Sequence, residues 1–143
     1  MTRRPPPHRL FVPHGQAEFS RQGQRLWGVA EGPFNLELAQ EVHRRVLDWC
    51  QRLHADGAFD HLCAFRGSAL ASPEALQQLG NMLRDLAAQG IAPVRTAYVF
   101  PPELEGGSLL SPLFERAFAA TGLPMRVFAS QAEALDWLNA SLP

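Results

Sequence analysis

The chain has no lysine: all thirteen of its basic side chains are arginine. That absence removes whole chemistries. No amine can form a Schiff base, which excludes pyridoxal phosphate and aldolase-type catalysis. No Walker A phosphate loop can be built without its lysine. Arginine still leaves a planar fork for carboxylate or phosphate. Cysteine is scarce, with only Cys50 and Cys63 in 143 residues. One falls in an expected helix and one in an expected buried strand. This pattern reads as a reducing, cytoplasmic setting of bacterial type rather than a disulfide framework. There is no apolar run near the roughly 18 residues that cross a bilayer. The basic start MTRRPPPHRL lacks the apolar stretch of a secretory signal. Charge of one sign is also missing. A net charge of -1 gives no electrostatic case for nucleic acid or an anionic membrane.

Catalytic and metal signatures are equally thin. No G-x-S-x-G elbow, C-x-x-C or H-x-x-x-H pair occurs. His61 and Cys63 would share one face of a strand, and Cys50 and His54 one face of a helix. A metal site needs three or four convergent ligands, so neither pair suffices. Cys63 reads as buried and inert. Glu103 and Glu105 lie in a loop without an evident partner. The expectation is no metal, no cofactor and no enzyme, with an enzyme of unassigned reaction kept as the remote alternative.

What is present is a repeated unit: an apolar run, a loop, a capping residue, then an amphipathic run. With 46% hydrophobic residues, the chain can bury a core without staples. Residues 1–15, rich in proline and arginine, are expected as an N-terminal arm, and residues 16–143 as one α/β domain. Ala17–Gln22 and Arg25–Glu31 flank Gly23 as a hairpin. Asn35 caps a helix to about Ala55, with Leu38, Val42, Val46, Trp49 and Leu53 as its stripe. Phe59–Phe65 is nearly continuous in apolar residues, as a central parallel strand requires. Ser72-Pro73-Glu74 opens a second helix that stops at Gly90. Gly80, on its apolar face, is expected to let the backbone approach the sheet. Val94–Phe100 is a strand. Pro101–Leu110 is a loop in which Gly106-Gly107 reads as a flexible turn, and Ser111-Pro112 opens the third helix. Met125–Phe128 is the last strand. Ser130 and Glu133 form a capping box for the last helix. The order is ββαβαβαβα, a mixed, mostly parallel sheet with an N-terminal hairpin and about four helices.

The runs HGQAEFSRQGQRLWGVAEGPFN, FRGSALASPEAL, AYVFPP and RVFASQAEALDWL resemble the SpoIIAA-like, or STAS-like, bacterial proteins. The likeness is to their small stand-alone branch, which shares its fold description with CRAL-TRIO lipid-transfer domains. It spans about His14 to Leu142 and rests on order and spacing rather than on any one motif. It implies a mixed sheet with a β-α superhelical path. Two departures stand out. The Asp-Ser-Ser/Thr-Gly phosphorylation motif of anti-sigma antagonists is replaced by Leu70-Ala71-Ser72-Pro73-Glu74, which argues against a phosphoswitch at Ser72. Ala64 stands where the stand-alone branch often has an aspartate.

In open parallel sheets, ligands favour the carboxyl ends of the strands. Four loops are expected to converge there: Gly32–Asn35, Arg66–Ser72, Pro101–Ser111 and Ala129–Ser130. Helix starts on that edge offer free N–H groups. Asn35, Arg66, Ser68, Ser72, Ser108 and Ser111 are therefore the candidate binding residues for a protein partner or a small anionic ligand. The plainer reading makes Asn35, Ser72, Ser111 and Ser130 helix caps and Arg66 a surface or ion-paired arginine. The expected function is a non-enzymatic regulatory or interaction module. The alternative is a small lipid or apolar-ligand carrier, which should enclose an apolar cavity of order 300 Å³ or more. Trp27, Trp49, Trp137, Phe34, Phe114 and Phe118 are expected mostly in the core, with some available to a pocket or a dimer face. Helices on one sheet face alone would favour a homodimer.

Overall fold

The computed structural model describes residues Gly15–Ala140. All but Gly15 of the expected N-terminal arm, and residues 141–143, lie outside them. The described elements are β1 (Gln16–Gln22), β2 (Arg25–Glu31), α1 (Leu36–Ala55), β3 (Asp60–Arg66), α2 (Pro73–Gln89), β4 (Thr96–Val99), α3 (Gly107–Ala119), β5 (Met125–Phe128) and α4 (Gln131–Asn139). The sheet keeps chain order, β1-β2-β3-β4-β5. β1 runs antiparallel to β2, and every later neighbour is parallel. A tight turn at Gly23-Gln24 permits the one antiparallel step. Each parallel step needs a crossover, and each crossover is a helix.

Local chemistry sets most helix ends. Asn35 Oδ1 accepts from Leu38 N–H at 2.9 Å, and Ser72 Oγ from Ala75 N–H at 3.1 Å. Ser130 Oγ accepts from Glu133 N–H at 3.2 Å. The third helix departs from expectation. It begins at Gly107, one turn before Ser111-Pro112, with Gly106 in the left-handed region at φ 72° and no side-chain cap. Pro112 therefore sits inside α3, where it removes one backbone bond. Gly80 also differs. A Cβ there would first meet Arg84 Nη1, at 3.5 Å, and no sheet atom lies within 4 Å.

Alternation along the strands divides the core. One face presents Leu26, Ala30, Cys63, Phe65 and Tyr98 to α1, α2 and α3, which contribute Val46, Leu53, Leu83, Phe114 and Phe118. Phe65 is the hub of this layer, with ring centroids 4.8 Å from Phe100 and 4.9 Å from Tyr98. Each such buried ring or leucine contributes about 1.5–3 kcal/mol. The other face presents Leu62, Ala97 and Val99 to Ala134 and Leu138 of α4, with Trp27, Phe128 and Trp137 partly buried around them. Helices therefore occupy both faces, so the one-faced premise for a homodimer does not hold. Cover on the α4 face is partial, and Val29 of β2 stays 38% exposed there. No helix among the described residues is long and apolar enough to cross a membrane.

Candidate functional site

The parallel register brings strand ends together at one edge. β2 ends at Glu31 and β3 at Arg66, and these two are direct register partners. The loops that follow remain stitched to each other by backbone bonds. Gly32 N–H donates to Ser68 O and Phe34 N–H to Leu70 O, both at 2.8 Å, and Ser72 N–H returns to Phe34 O at 3.0 Å. Ala69 N–H donates to Glu105 O at 2.8 Å, and Glu105 N–H to Gly67 O at 3.0 Å. Loops 32–35, 67–72 and 100–106 thus form one rigid rim above the sheet. These bonds tie the starts of α1, α2 and α3 to each other. The fourth expected loop, Ala129–Ser130, leads instead to α4 on the opposite face.

The candidate residues occupy this rim unequally. Asn35 and Ser72 lie on adjoining loops joined by the Phe34–Ala71 bridge. Their side-chain oxygens are committed to capping. Ser68 is 5% exposed, and its Oγ accepts from Leu70 N–H at 3.0 Å, so it shapes the loop from inside. Ser108 is exposed in the first turn of α3. Ser111 lies a turn inside α3 and does not open it. Arg66 is the outward member: its side chain is 61% exposed, and Nε reaches Glu31 Oε1 at 3.1 Å. Among the described residues, no hydrogen-bond partner meets its two terminal nitrogens.

Glu31 was not foreseen, because the register that sets it opposite Arg66 belongs to the fold. Its carboxyl also accepts from Gln16 Nε2 at 3.2 Å. The Gln16 amide and then the Arg66 guanidinium hold it below the ordinary carboxylate value. The same rim carries Glu37 and Glu74 in the first turns of α1 and α2, and Glu103 and Glu105 in the third loop. All four are exposed. Arg66 is the one basic residue in the described loops and first helical turns of this edge. The rim is acidic. Acids at helix starts complement the helix dipole but oppose an incoming anion.

The opposite end of the same strand pair carries the mirrored arrangement. Arg25 Nε and Nη2 bind Asp60 Oδ1 and Oδ2 at 2.7 and 3.0 Å, with side chains only 19% and 15% exposed. That clamp is bidentate and largely shielded, whereas Arg66–Glu31 is single and open. The first builds the sheet, and the second leaves its partners available.

Beneath the rim, between the sheet and helices α1 and α2, lies an apolar pocket of about 100 Å³. Phe34 and Phe114 are in its wall, with His61 and Cys63 on the shared strand face. Burial pushes the thiols of Cys50 and Cys63 up to about 12 and the His61 imidazolium down to about 4. No group of three or more histidines, cysteines or acids that could hold a metal occurs among the described residues.

No protein-family model matches the chain, and no curated protein matches it. Solved structures do. One is an uncharacterized protein of the DUF3478 family with a SpoIIAA-like fold, from Shewanella loihica PV-4. It matches with a TM-score of 0.55 and 19% identity, over 87% of this chain and 94% of that one. Another is a chain in the crystal structure of the diguanylate cyclase SiaD in complex with its activator SiaC, from Pseudomonas aeruginosa. It matches with a TM-score of 0.50 and 22% identity, over 83% of this chain and 98% of that one. The likeness is one of fold over most of both chains, and this chain has a SpoIIAA-like fold.

Proposed function

We propose that this protein is a non-enzymatic interaction module whose recognition face is the acidic rim, and that its partner is a protein presenting a basic surface. The observation that carries the reading is the rim's charge. Exposed Glu37, Glu74, Glu103 and Glu105 share with one open arginine a backbone frame that is already hydrogen-bonded. A rigid frame loses little entropy on binding, and complementary charge speeds encounter and selects partners. The same charge disfavours a small anionic ligand, the other half of the original expectation. Precedent for a regulatory role comes from SiaC, which is described as the activator of the cyclase it sits with. The carrier alternative is the weaker reading, because about 100 Å³ is too small for an acyl lipid. Catalysis finds little support: both thiols are buried with raised pKa, and both ring nitrogens of His43 are engaged, by Asp85 and Gln78.

The test is charge reversal. A partner recovered by affinity purification from the source cells and then purified should bind the double variant Glu103→Arg/Glu105→Arg at least about tenfold more weakly. Its affinity for Asp48→Arg, on the exposed side of α1, should be unchanged. Equal losses in both variants, or none in the rim variant, would remove the rim from recognition.

A further inference from the structure

We propose that the pocket beneath the rim is a binding site for a small uncharged molecule, apolar over most of its surface and carrying one hydrogen-bonding group that pairs with His61. Three observations converge on this. The pocket measures about 100 Å³ and contains no arginine, aspartate or glutamate in its lining, which is built from residues such as Phe19, Val42, Val46, Leu79 and Met82. An engineered apolar cavity of about 150 Å³ takes up benzene; this space, about 100 Å³, takes a short branched chain, or one small ring if the partly buried lining side chains give way. An ionised ligand would be desolvated there without a counter-charge.

The second observation is His61 itself. It is 6% exposed, and its Nε2 has no hydrogen-bond partner among the described residues. An unpaired buried polar atom costs about 1–3 kcal/mol, and histidine was not needed merely to fill space between Phe19 and Tyr98. Without a bond at Nε2, the ring is free of that polar restraint. A half-turn about Cβ–Cγ exchanges each nitrogen with a carbon and presents a different edge to the pocket.

The third observation is access. Val42 and Leu79, on the facing sides of α1 and α2, are only partly buried, as are Phe34, Ala71 and Leu76 above them. Side chains at such positions exchange rotamers quickly enough to admit a small molecule. A single water is the competing occupant. A second void, also lined by His61, is about 10 Å³, at the lower limit for one water. The pocket is separate from the rim acids, so its test does not involve a protein partner.

Phenol and toluene have nearly the same shape and differ in one hydroxyl. Titrated into the full chain at millimolar concentration and followed by NMR, phenol should shift the methyl signals of Val42, Val46 and Leu79. Toluene should do so about tenfold more weakly, the worth of one buried hydrogen bond. In His61→Phe the order should reverse, with toluene binding more tightly than phenol, because the hydroxyl would then be buried without a partner. A pocket-filling variant, Ala39→Leu, should weaken both, and it keeps the question open to decision if His61→Phe fails to fold. No shift of lining signals with either probe would overturn the proposal. So would equal binding of phenol and toluene by the unaltered chain, the outcome if His61 is satisfied by a water. A phenol preference that survives in His61→Phe would overturn it as well.

Discussion

His61 and Arg66 lie five residues apart on one strand and illustrate opposite uses of a polar side chain. His61 is enclosed, and burial lowers its pKa from 6.5 to about 4. Between those values the unfolded chain binds the extra proton, so the contribution of His61 to stability is intact above pH 6.5 and declines as pH falls toward 4. At pH 5, denaturant unfolding should show a loss of about 2 kcal/mol relative to pH 7 from this residue. His61→Phe should flatten the profile over that window, and an unchanged slope in the variant would assign the loss to other groups. Arg66 is open to solvent, and a single exposed ion pair contributes little. Arg66→Ala should therefore change the melting temperature by less than about 2 °C while altering partner affinity. A large loss of stability would make it structural. The strand position of His61 was legible from the sequence, as was the burial of Cys63, whereas Arg66 was expected in the loop and is the last residue of the strand. The partner of Arg66 was not, because ion pairs depend on which strands become neighbours and on their register.

At the level of elements, capping chemistry was readable and competition between signals was not. Asn35, Ser72 and Ser130 each carry the expected cap. Ser111-Pro112 carries the same signature as Ser72-Pro73, yet α3 starts a turn earlier. The reason lies in Gly107, Leu110, Phe114 and Phe118, all buried. They form a continuous stripe, and burying Leu110 against the sheet outweighs one backbone bond lost at Pro112. Gly106, free to take φ 72°, makes the early start accessible. Replacing Pro112 with alanine should restore the missing bond and stabilise the fold by about 1 kcal/mol, the helix gain being offset in part by a more flexible unfolded chain. Chemical denaturation would detect the shift, and destabilisation would mean that the proline ring itself packs. Ser72→Ala should cost about 1 kcal/mol, a structural effect to be separated from any change in binding at the neighbouring Arg66.

Across the whole molecule, the alternation of strand and helix patterns was enough to give the ββαβαβαβα order and a parallel sheet. It could not say which face each helix would take. α4 crosses to the far face because Ala134 and Leu138 meet Leu62, Ala97 and Val99, a set of small and branched side chains that only the folded register assembles. The fourth helix start is thereby withdrawn from the group formed by the other three, and the rim narrows to three loops. Its acidic character likewise follows from placement. Net charge is near zero, yet exposed acids gather at this edge, whereas Arg25 and Arg95 lie at the other, just at or before strand starts. Binding through such a face should weaken on going from low salt to about 0.5 M, as screening shortens the reach of its field. Affinity indifferent to salt would count against the acidic rim as the recognition face.

The lone antiparallel strand decides where the chain enters. Because β1 runs against β2, Gly15 packs beside Glu31 and Pro33, where a Cβ would come within 2.5 Å of both carbonyl oxygens. The last described residue, Ala140, is held by Arg95 at the far end of the sheet. Cargo joined directly to Gly15 would consequently stand over the proposed recognition edge, while the same cargo joined directly to Ala140 would leave that edge clear.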